Sequence, residues 1–216
     1  MRIDVFTLIP DAFEWIQKRR PLAAVLGNQL ELRILNYRDT TPLSAGQVDD
    51  EPYGGGPGMV LRVDVVAAAL DAVYGEAPEH RVVALAPTGR LLDQDLVEEL
   101  AAEPALTLLS ARFEGFDQRI LDHLCTDVVS IGPYVLSGGE IPALAVVDAV
   151  ARRLPGALTE GSGEVESFSA ALSGGLEYPH YTRPASFRGW DVPETLLSGD
   201  HGRIASWRHD RVRSTT

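Results

Sequence analysis

The segment RFEG at 112–115 combines a cation, an aromatic ring and a carboxylate directly after a predicted strand. An aromatic face can stack on a purine-like ring, and a carboxylate can accept hydrogen bonds from the N–H groups of that ring. The same residues would also be satisfied as a surface ion pair beside a packed phenylalanine. Taken alone, the segment favours this simpler interpretation.

The segment SIGPYVLSGGEIPAL at 130–144 is a second candidate for a ligand site. Its glycines and prolines do not suit the interior of a helix or strand, because glycine loses backbone entropy and proline donates no hydrogen bond. Its apolar residues nevertheless favour burial. A buried loop must satisfy its backbone N–H and C=O groups, which a flat polar ligand can do. Composition leaves a ligand-binding loop and a tight turn without a ligand equally open.

A glycine-rich run, GGGPG at 54–58, follows Asp49, Asp50 and Tyr53. It lacks the Gly-Lys-Ser/Thr that completes a phosphate-binding P-loop. A flexible loop that brings the three side chains to a surface is the better interpretation. The five histidines show no spacing typical of metal ligands, so the sequence predicts no metal site.

Charge and cysteine content narrow the class of protein. The net charge of −12 argues against a general nucleic-acid binder. Residues 181–216, however, hold six arginines against four acidic residues, so this tail could dock RNA or could be an ordinary solvated helical face. The single cysteine, Cys125, excludes an intramolecular disulfide. With no signal-peptide pattern and no membrane-length apolar run, the chain is predicted to be soluble and cytoplasmic.

Short apolar strands alternate with helices along residues 1–153, which predicts an α/β fold with a largely parallel sheet. Ligands bind at the carboxyl ends of parallel strands, so the loops after Ala86, Ser110 and Ser130 should converge. Asp64 is the expected N-cap of the third helix. The predicted strands are 2–9, 30–37, 81–86, 105–110 and 127–131, and the predicted helices are 11–20, 21–27, 64–74, 93–102, 117–124 and 142–153.

The composition changes after Arg153. Residues 155–173 are polar, contain Gly and Ser and are weakly periodic, which predicts a mobile linker. Residues 174–216 contain two tryptophans and one clear helix at 201–211, which predicts a small second domain or part of one.

Five sequence segments, taken together and in their order along the chain, are far more specific for one protein family than any of them alone. This set strongly resembles the bacterial tRNA (guanine-37-N1)-methyltransferases and covers nearly the whole chain. The segments are VDDEPYGGGPGM (48–59), RFEGFDQR (112–119), SIGPYVLSGGE (130–140), PHYTRP (179–184) and VPETLLSGDH (192–201).

The resemblance implies a SPOUT methyltransferase fold, in which the parallel sheet forms a deep trefoil knot that general folding rules would not propose. It also implies an obligate homodimer whose active site spans both subunits. The expected organisation is a knotted S-adenosylmethionine-binding domain at 1–155, a flexible linker at 156–177 and a small helical tRNA-binding domain at 178–216. That last domain ends before the family's usual C-terminal helices, which predicts a smaller basic surface for tRNA.

The resemblance also assigns binding residues. S-adenosylmethionine would lie bent in the knot, with Glu114 near its amino or sulfonium end. The other cofactor contacts implied are Pro87, Gly89, Ala111, Gly115, Ile131, Gly132, Tyr134, Leu136, Gly138 and Gly139. The tRNA contacts implied are Asp50, Tyr53, His180, Arg183, Ser198 and His201.

The implied reaction is methylation of N1 of guanine 37 in tRNAs with guanine at position 36. This nitrogen carries a proton at neutral pH, so a base must remove it, and a guanidinium can stabilise the charge that develops on O6. The sulfonium methyl must also lie in line with N1. By resemblance the base is Glu166, in the sequence VESF, and the cation is Arg152. The family is also reported to need magnesium, which would help to ionise N1.

Four features depart from the family's pattern. Glu166 replaces Asp and moves the carboxylate by about one bond length, which leaves Glu164 as a substitute base. Ala111 stands where Gly is usual, Pro133 replaces an acidic residue of the knot loop, and the chain ends early at Thr216. Two alternatives to an active guanine-37 methyltransferase therefore remain open. One is a weakly active or inactive paralogue that binds cofactor and RNA, and the other is a SPOUT methyltransferase for another RNA site.

Overall fold

The computed structural model describes residues 1–75, 77–159, 162 and 165–214. Contacts within the chain divide it into two compact units, Met1–Ala157 and Leu158–Thr216. The residues of the predicted linker after position 157 belong to the second unit. The roles assigned to the linker and to the two domains remain predictions.

A five-stranded parallel sheet organises the first unit. Its strands are β1 (Arg2–Thr7), β2 (Glu31–Asn36), β5 (Arg81–Leu91), β6 (Ala105–Ser110) and β7 (Asp127–Ser130). They lie in the order β2-β1-β6-β5-β7, and each neighbouring pair is parallel. Parallel strands that are covered on both faces are buried along most of their length, as β1 and β6 are. The α/β class and the parallel sheet are confirmed.

Helices cover the sheet. They are α1 (Leu22–Val25), α2 (Val63–Tyr74), α3 (Gln94–Ala101), α4 (Gln118–His123) and α5 (Glu140–Arg153). Two short strands, β3 (Asp49–Asp50) and β4 (Val60–Leu61), form a separate antiparallel pair. Helix α5 buries Ala143, Val146, Val147 and Val150, a spacing that places them on one helical face. This face packs into the larger of two apolar cores.

Two local predictions in this unit are wrong. Residues 11–20 do not form one helix. They form two short 3-10 segments, Pro10–Phe13 and Ile16–Lys18, closed by i→i−3 hydrogen bonds, and Trp15 between them is 57% exposed, so no continuous apolar stripe supports an α-helix. Asp64 does not cap α2. The helix begins at Val63, and the Asp64 carboxylate pairs with the Arg62 guanidinium instead.

The predicted loop at 87–90 is also wrong, because β5 continues to Leu91. Leu85 and Arg90 both pair with Val129, so the residues between them bulge out of the ladder. At Gly89 the two backbones approach closely: a Cβ there would lie 2.4 Å from the Val129 nitrogen. Only glycine fits at this point, and the strand can resume its pairing with β7.

The second unit contains short elements. They are a 3-10 turn at Ala170–Leu172, the hairpin strands β8 (Ser186–Phe187) and β9 (Trp190–Asp191), and the helices α6 (Glu194–Leu197) and α7 (His201–His209). An isolated antiparallel bridge joins Leu176 to Arg213. Helix α7 confirms the predicted helix and ends two residues before its expected end at 211. Asp200 caps it by accepting a hydrogen bond from the Arg203 N–H.

None of the helices in the described part of the chain is long and apolar enough to cross a membrane.

Asp4 on β1 provides a test of pH-dependent stability. Its carboxylate is fully buried and accepts hydrogen bonds from Arg33 and from the Tyr74 hydroxyl, the latter at 2.6 Å. Burial acts to raise the pKa of Asp4, but these hydrogen bonds outweigh it and hold the pKa below its ordinary value. The stabilisation is therefore present above the unfolded pKa of about 3.9 and is lost as the pH falls through the lower folded pKa.

We expect Asp4→Asn to lower the free energy of unfolding by about 3 kcal/mol at pH 7, because it removes the charge that compensates Arg33. The difference from the unsubstituted protein should shrink below about pH 4. Urea unfolding at several pH values measures this, with the exposed Asp39→Asn as the control. A difference that stays constant with pH would contradict the assignment.

Candidate functional site

Three loops of the first unit border one cleft, which holds about 730 Å³ of empty space. They come from the bulge of β5, from the end of β6 and from the end of β7, so the predicted convergence is confirmed. Ten of the eleven residues predicted to bind the cofactor line this cleft: Pro87, Ala111, Glu114, Gly115, Ile131, Gly132, Tyr134, Leu136, Gly138 and Gly139. The eleventh, Gly89, packs against β7.

The segment RFEG forms a tight turn on the wall of the cleft. The Gly115 N–H donates to the Arg112 carbonyl, and Phe113 adopts a left-handed φ of 62°. Such a conformation is uncommon for an aromatic residue and is a sign that the surroundings hold the turn in place. The turn presents the Glu114 side chain both to the cleft and to the glycine-rich loop.

Gly58 joins the glycine-rich loop to this turn. A Cβ at Gly58 would lie 2.4 Å from Glu114 Oε1, and the Glu114 N–H donates to the Met59 carbonyl at 2.9 Å. The φ of Gly58 is +85°, which L side chains rarely adopt. The GGGPG run therefore ends in direct contact with the cleft wall.

The loop at 131–139 is held at both of its ends. At the first end, Tyr134 folds back so that its hydroxyl donates to the Ile131 carbonyl and its ring packs over Gly132. At the second end, the Gly139 N–H donates to the Ala111 carbonyl at 2.8 Å, and the Ser110 hydroxyl donates to the Gly139 carbonyl. The loop is thus a shaped wall of the cleft, which supports the ligand-binding interpretation of this segment over the tight turn.

Glu140 and Arg112 form a polar contact that sequence reasoning missed as part of the site. Glu140, the first residue of α5, is 5% exposed, accepts a 2.9 Å hydrogen bond from the Thr7 hydroxyl and lies 3.6 Å from an Arg112 nitrogen. A carboxylate is favourable at a helix N-terminus. A glutamate followed two residues later by proline at a helix start is the signal that could have revealed it.

We expect Glu140→Ala to lower the free energy of unfolding by about 2 kcal/mol, because Thr7 loses its acceptor and Arg112 its counter-charge. Glu140→Gln, which keeps an acceptor, should cost less. Urea unfolding of Glu140→Ala, Thr7→Val and the double variant measures the coupling between the two residues. Strictly additive effects of the two single substitutions would contradict this contact.

A second cleft in the first unit contains Asp50 and Tyr53, both assigned to tRNA binding by resemblance. Tyr53 is fully exposed, whereas Asp50 pairs with Arg62 at 2.8 Å. Arg62 also bonds Asp64 and holds the pKa of that carboxyl below its usual range. The Asp50 carboxylate therefore already has one cationic partner before any RNA binds.

The remaining tRNA-binding candidates lie in the second unit. His180 is exposed, pairs with Glu177 at 2.9 Å and packs on the Tyr178 ring. Arg183 and His201 are exposed, and His201 begins α7. The Ser198 hydroxyl donates to the Thr195 carbonyl and accepts from the Asp200 N–H, which shapes the turn before α7.

The two catalytic candidates lie in different units. Arg152 is partly buried in the last turn of α5. Glu166 is partly buried, and its carbonyl accepts from the Ser169 N–H in a turn that also holds Phe168 to Gly175 by a 2.8 Å backbone hydrogen bond. Glu164, the substitute base, lies outside the described residues.

Among the residues that the structure describes, no group of three or more His, Cys, Asp or Glu side chains could hold a metal ion.

Comparison with known proteins identifies the family. The family model described as tRNA (Guanine-1)-methyltransferase TrmD matches residues 1–216. Proteins named tRNA (guanine-N(1)-)-methyltransferase from Brevibacillus brevis and Bacillus cereus are 48% identical over 210 residues and 45% identical over 212 residues, respectively. The alignments cover 96% and 97% of this chain and 85% and 86% of those relatives. A relative of the same name from Dehalococcoides mccartyi is 46% identical over 96% of this chain and 84% of its own length. The chain belongs to the tRNA (guanine-1)-methyltransferase family.

Proposed function

We propose that this protein is a cytoplasmic enzyme that transfers the methyl group of S-adenosylmethionine to N1 of guanine 37 in tRNAs with guanine at position 36. The observation that carries the proposal is the convergence of three loops on one cleft, in a chain whose whole length matches a family of tRNA (guanine-N1) methyltransferases.

The cleft suits S-adenosylmethionine. Its lining is mostly apolar, with Ile131, Leu136 and Pro142 suited to the faces of an adenine ring, while the strand-end loops offer backbone groups for the ring edge. Glu114 is the carboxylate of the lining and would attract the positively charged amino or sulfonium group. The bound cofactor supplies an electrophilic methyl group.

Glu166 and Arg152 carry the chemistry of the proposed reaction. The Glu166 carboxylate would take the proton from N1. The freed electron pair on N1 would then form the bond to the methyl carbon as the bond between that carbon and the sulfonium sulfur breaks, with the electron pair of the broken bond staying on sulfur to leave a neutral thioether. The Arg152 guanidinium stabilises the negative charge that spreads onto O6. Holding the base and the methyl group in line supplies much of the acceleration, because it removes the entropy loss of a bimolecular encounter.

The proposal includes the SPOUT knot, a flexible linker at 156–177, a helical tRNA-binding domain at 178–216 and a homodimer with a shared active site. Support for the dimer comes from apolar side chains beside the cleft. Val135, Ile141 and Tyr134 are 87%, 59% and 52% exposed, and together they suit a second copy of the chain. The proposed magnesium requirement rests on the family resemblance alone.

Labelled methyl transfer to tRNA transcripts tests this function. A transcript with guanine at both 36 and 37 should accept the label, and transcripts with adenine at 37 or at 36 should not. Label on a different nucleotide would favour the other-site SPOUT enzyme. Cofactor binding without transfer would favour the inactive paralogue, and the absence of cofactor binding would contradict all three.

A further inference from the structure

The hairpin of β8 and β9 has an unusual turn. Ser186 pairs with Asp191 and Phe187 with Trp190, so the two residues of the turn are Arg188 and Gly189, with φ of 54° and 80°. Positive φ at both positions is the type I′ pattern, which favours Asn-Gly because a larger side chain is strained at the first position. An arginine at this position is therefore held in a strained backbone conformation.

The strained turn places the arginine over an aromatic ring. The Arg188 guanidinium carbon lies 5.1 Å from the Phe187 ring centroid, and the Phe187 and Trp190 centroids are 5.9 Å apart. Despite this contact the rings are open to solvent, with Phe187 50% and Trp190 68% exposed. The hairpin thus presents two aromatic surfaces and one cation outward, and it contributes nothing to either apolar core.

The exposed arginines of the second unit favour binding of a polyanion. Six arginines of this unit are exposed (Arg183, Arg188, Arg203, Arg208, Arg211 and Arg213). None of them forms an ion pair with a carboxylate within the described parts of the chain. Residues 181–216, which include the hairpin, hold these six arginines against four acidic residues, a balance of +2 in a protein of net charge −12.

We propose that Phe187, Arg188 and Trp190 form a stacking platform for an unpaired base of the tRNA substrate, distinct from the base that is methylated. Aromatic rings and arginine planes bind the faces of splayed bases, and phosphates complement the exposed arginines. The identity of the RNA rests on the proposed function, whereas the stacking chemistry rests on the hairpin. The platform binds and positions the RNA and does not touch the reacting atoms.

Binding of a labelled tRNA anticodon stem-loop to the full chain tests the platform. Trp190→Ala should raise Kd by about 5- to 100-fold, while Trp190→Phe, which keeps a ring, should retain most of the affinity. A fully paired duplex of equal length should bind both variants equally. In methyl transfer, Trp190→Ala should raise KM for tRNA and leave kcat at saturating tRNA unchanged.

The substitution Arg188→Asn tests RNA binding without a loss of protein stability. Asparagine suits the type I′ position, so Tm should stay equal or rise while RNA affinity falls. Arg19→Asn, an exposed substitution in the first unit, removes the same charge and should weaken binding less. An unchanged Kd in Trp190→Ala, or equal losses for Arg188→Asn and Arg19→Asn, would overturn the proposal. So would a changed oligomeric state of Trp190→Ala with unchanged RNA affinity, which would make the hairpin a protein contact.

The binding assay needs no turnover. Stem-loop binding that depends on Trp190, without any methyl transfer, would therefore overturn the proposed function and leave the platform standing. Methyl transfer by Trp190→Ala with an unchanged Kd for tRNA would overturn the platform and leave the proposed function standing.

Discussion

Replacing Glu166 by Gln is expected to slow methyl transfer by about 10²- to 10⁴-fold, the contribution of a positioned general base. Glutamine is nearly isosteric and can hydrogen bond the guanine edge, but it cannot accept the N1 proton. S-adenosylmethionine should bind as before, because the cofactor cleft is built from residues of the first unit and Glu166 belongs to the second. Single-turnover transfer and cofactor titration measure the two effects separately.

Glu166→Asp is the matched control, since it shortens the side chain by one methylene group while it keeps a carboxylate as the base. We expect it to retain transfer and the same dependence of rate on pH. Glu164→Gln should have little effect. The assignment fails if Glu166→Gln keeps its rate and Glu164→Gln loses it, which would move the base two residues along the chain.

Gly139→Ala is expected to weaken S-adenosylmethionine binding by about tenfold or more, the equivalent of about 1.4 kcal/mol. The φ of Gly139 is −79°, so alanine meets no backbone strain there. The added Cβ would instead lie 2.7 Å from the Ser110 Cα and 2.9 Å from the Ala111 nitrogen. Both are backbone atoms that cannot rotate away, so the loop must separate from β6 and the cleft must change shape.

Isothermal titration with the cofactor measures this loss, and urea unfolding should show a decrease of about 1–3 kcal/mol in the free energy of unfolding. Gly202→Ala is the control. It lies inside α7, the nearest contact of its Cβ is an ordinary 3.4 Å to an Asp200 oxygen, and alanine favours a helix. Unchanged cofactor affinity in Gly139→Ala would show that the loop tolerates displacement from β6.

Much of the site could be predicted because it depends on local chemistry. The apolar runs of β1, β6 and β7 predict buried parallel strands, and the glycines and prolines after two of them predict loops at their carboxyl ends. The family segments then marked the residues of the cleft. The misses were positions where a competing partner decides the outcome, as at Asp64, whose carboxylate pairs with the Arg62 guanidinium instead of capping α2.

The sequence by itself determined the α/β class, the strands of the sheet and the family. The spacing of apolar residues and the order of the family segments can both be read from the chain without its three-dimensional structure. Only the tertiary structure decided that β5 resumes after Ala86, because the close approach of Gly89 to β7 depends on a strand far along the chain. Only the tertiary structure shows the hydrogen bond from the Thr7 hydroxyl to the Glu140 carboxylate, which joins two residues that are 133 positions apart in the sequence. Contacts over such separations form through packing of the whole sheet, and no local pattern encodes them.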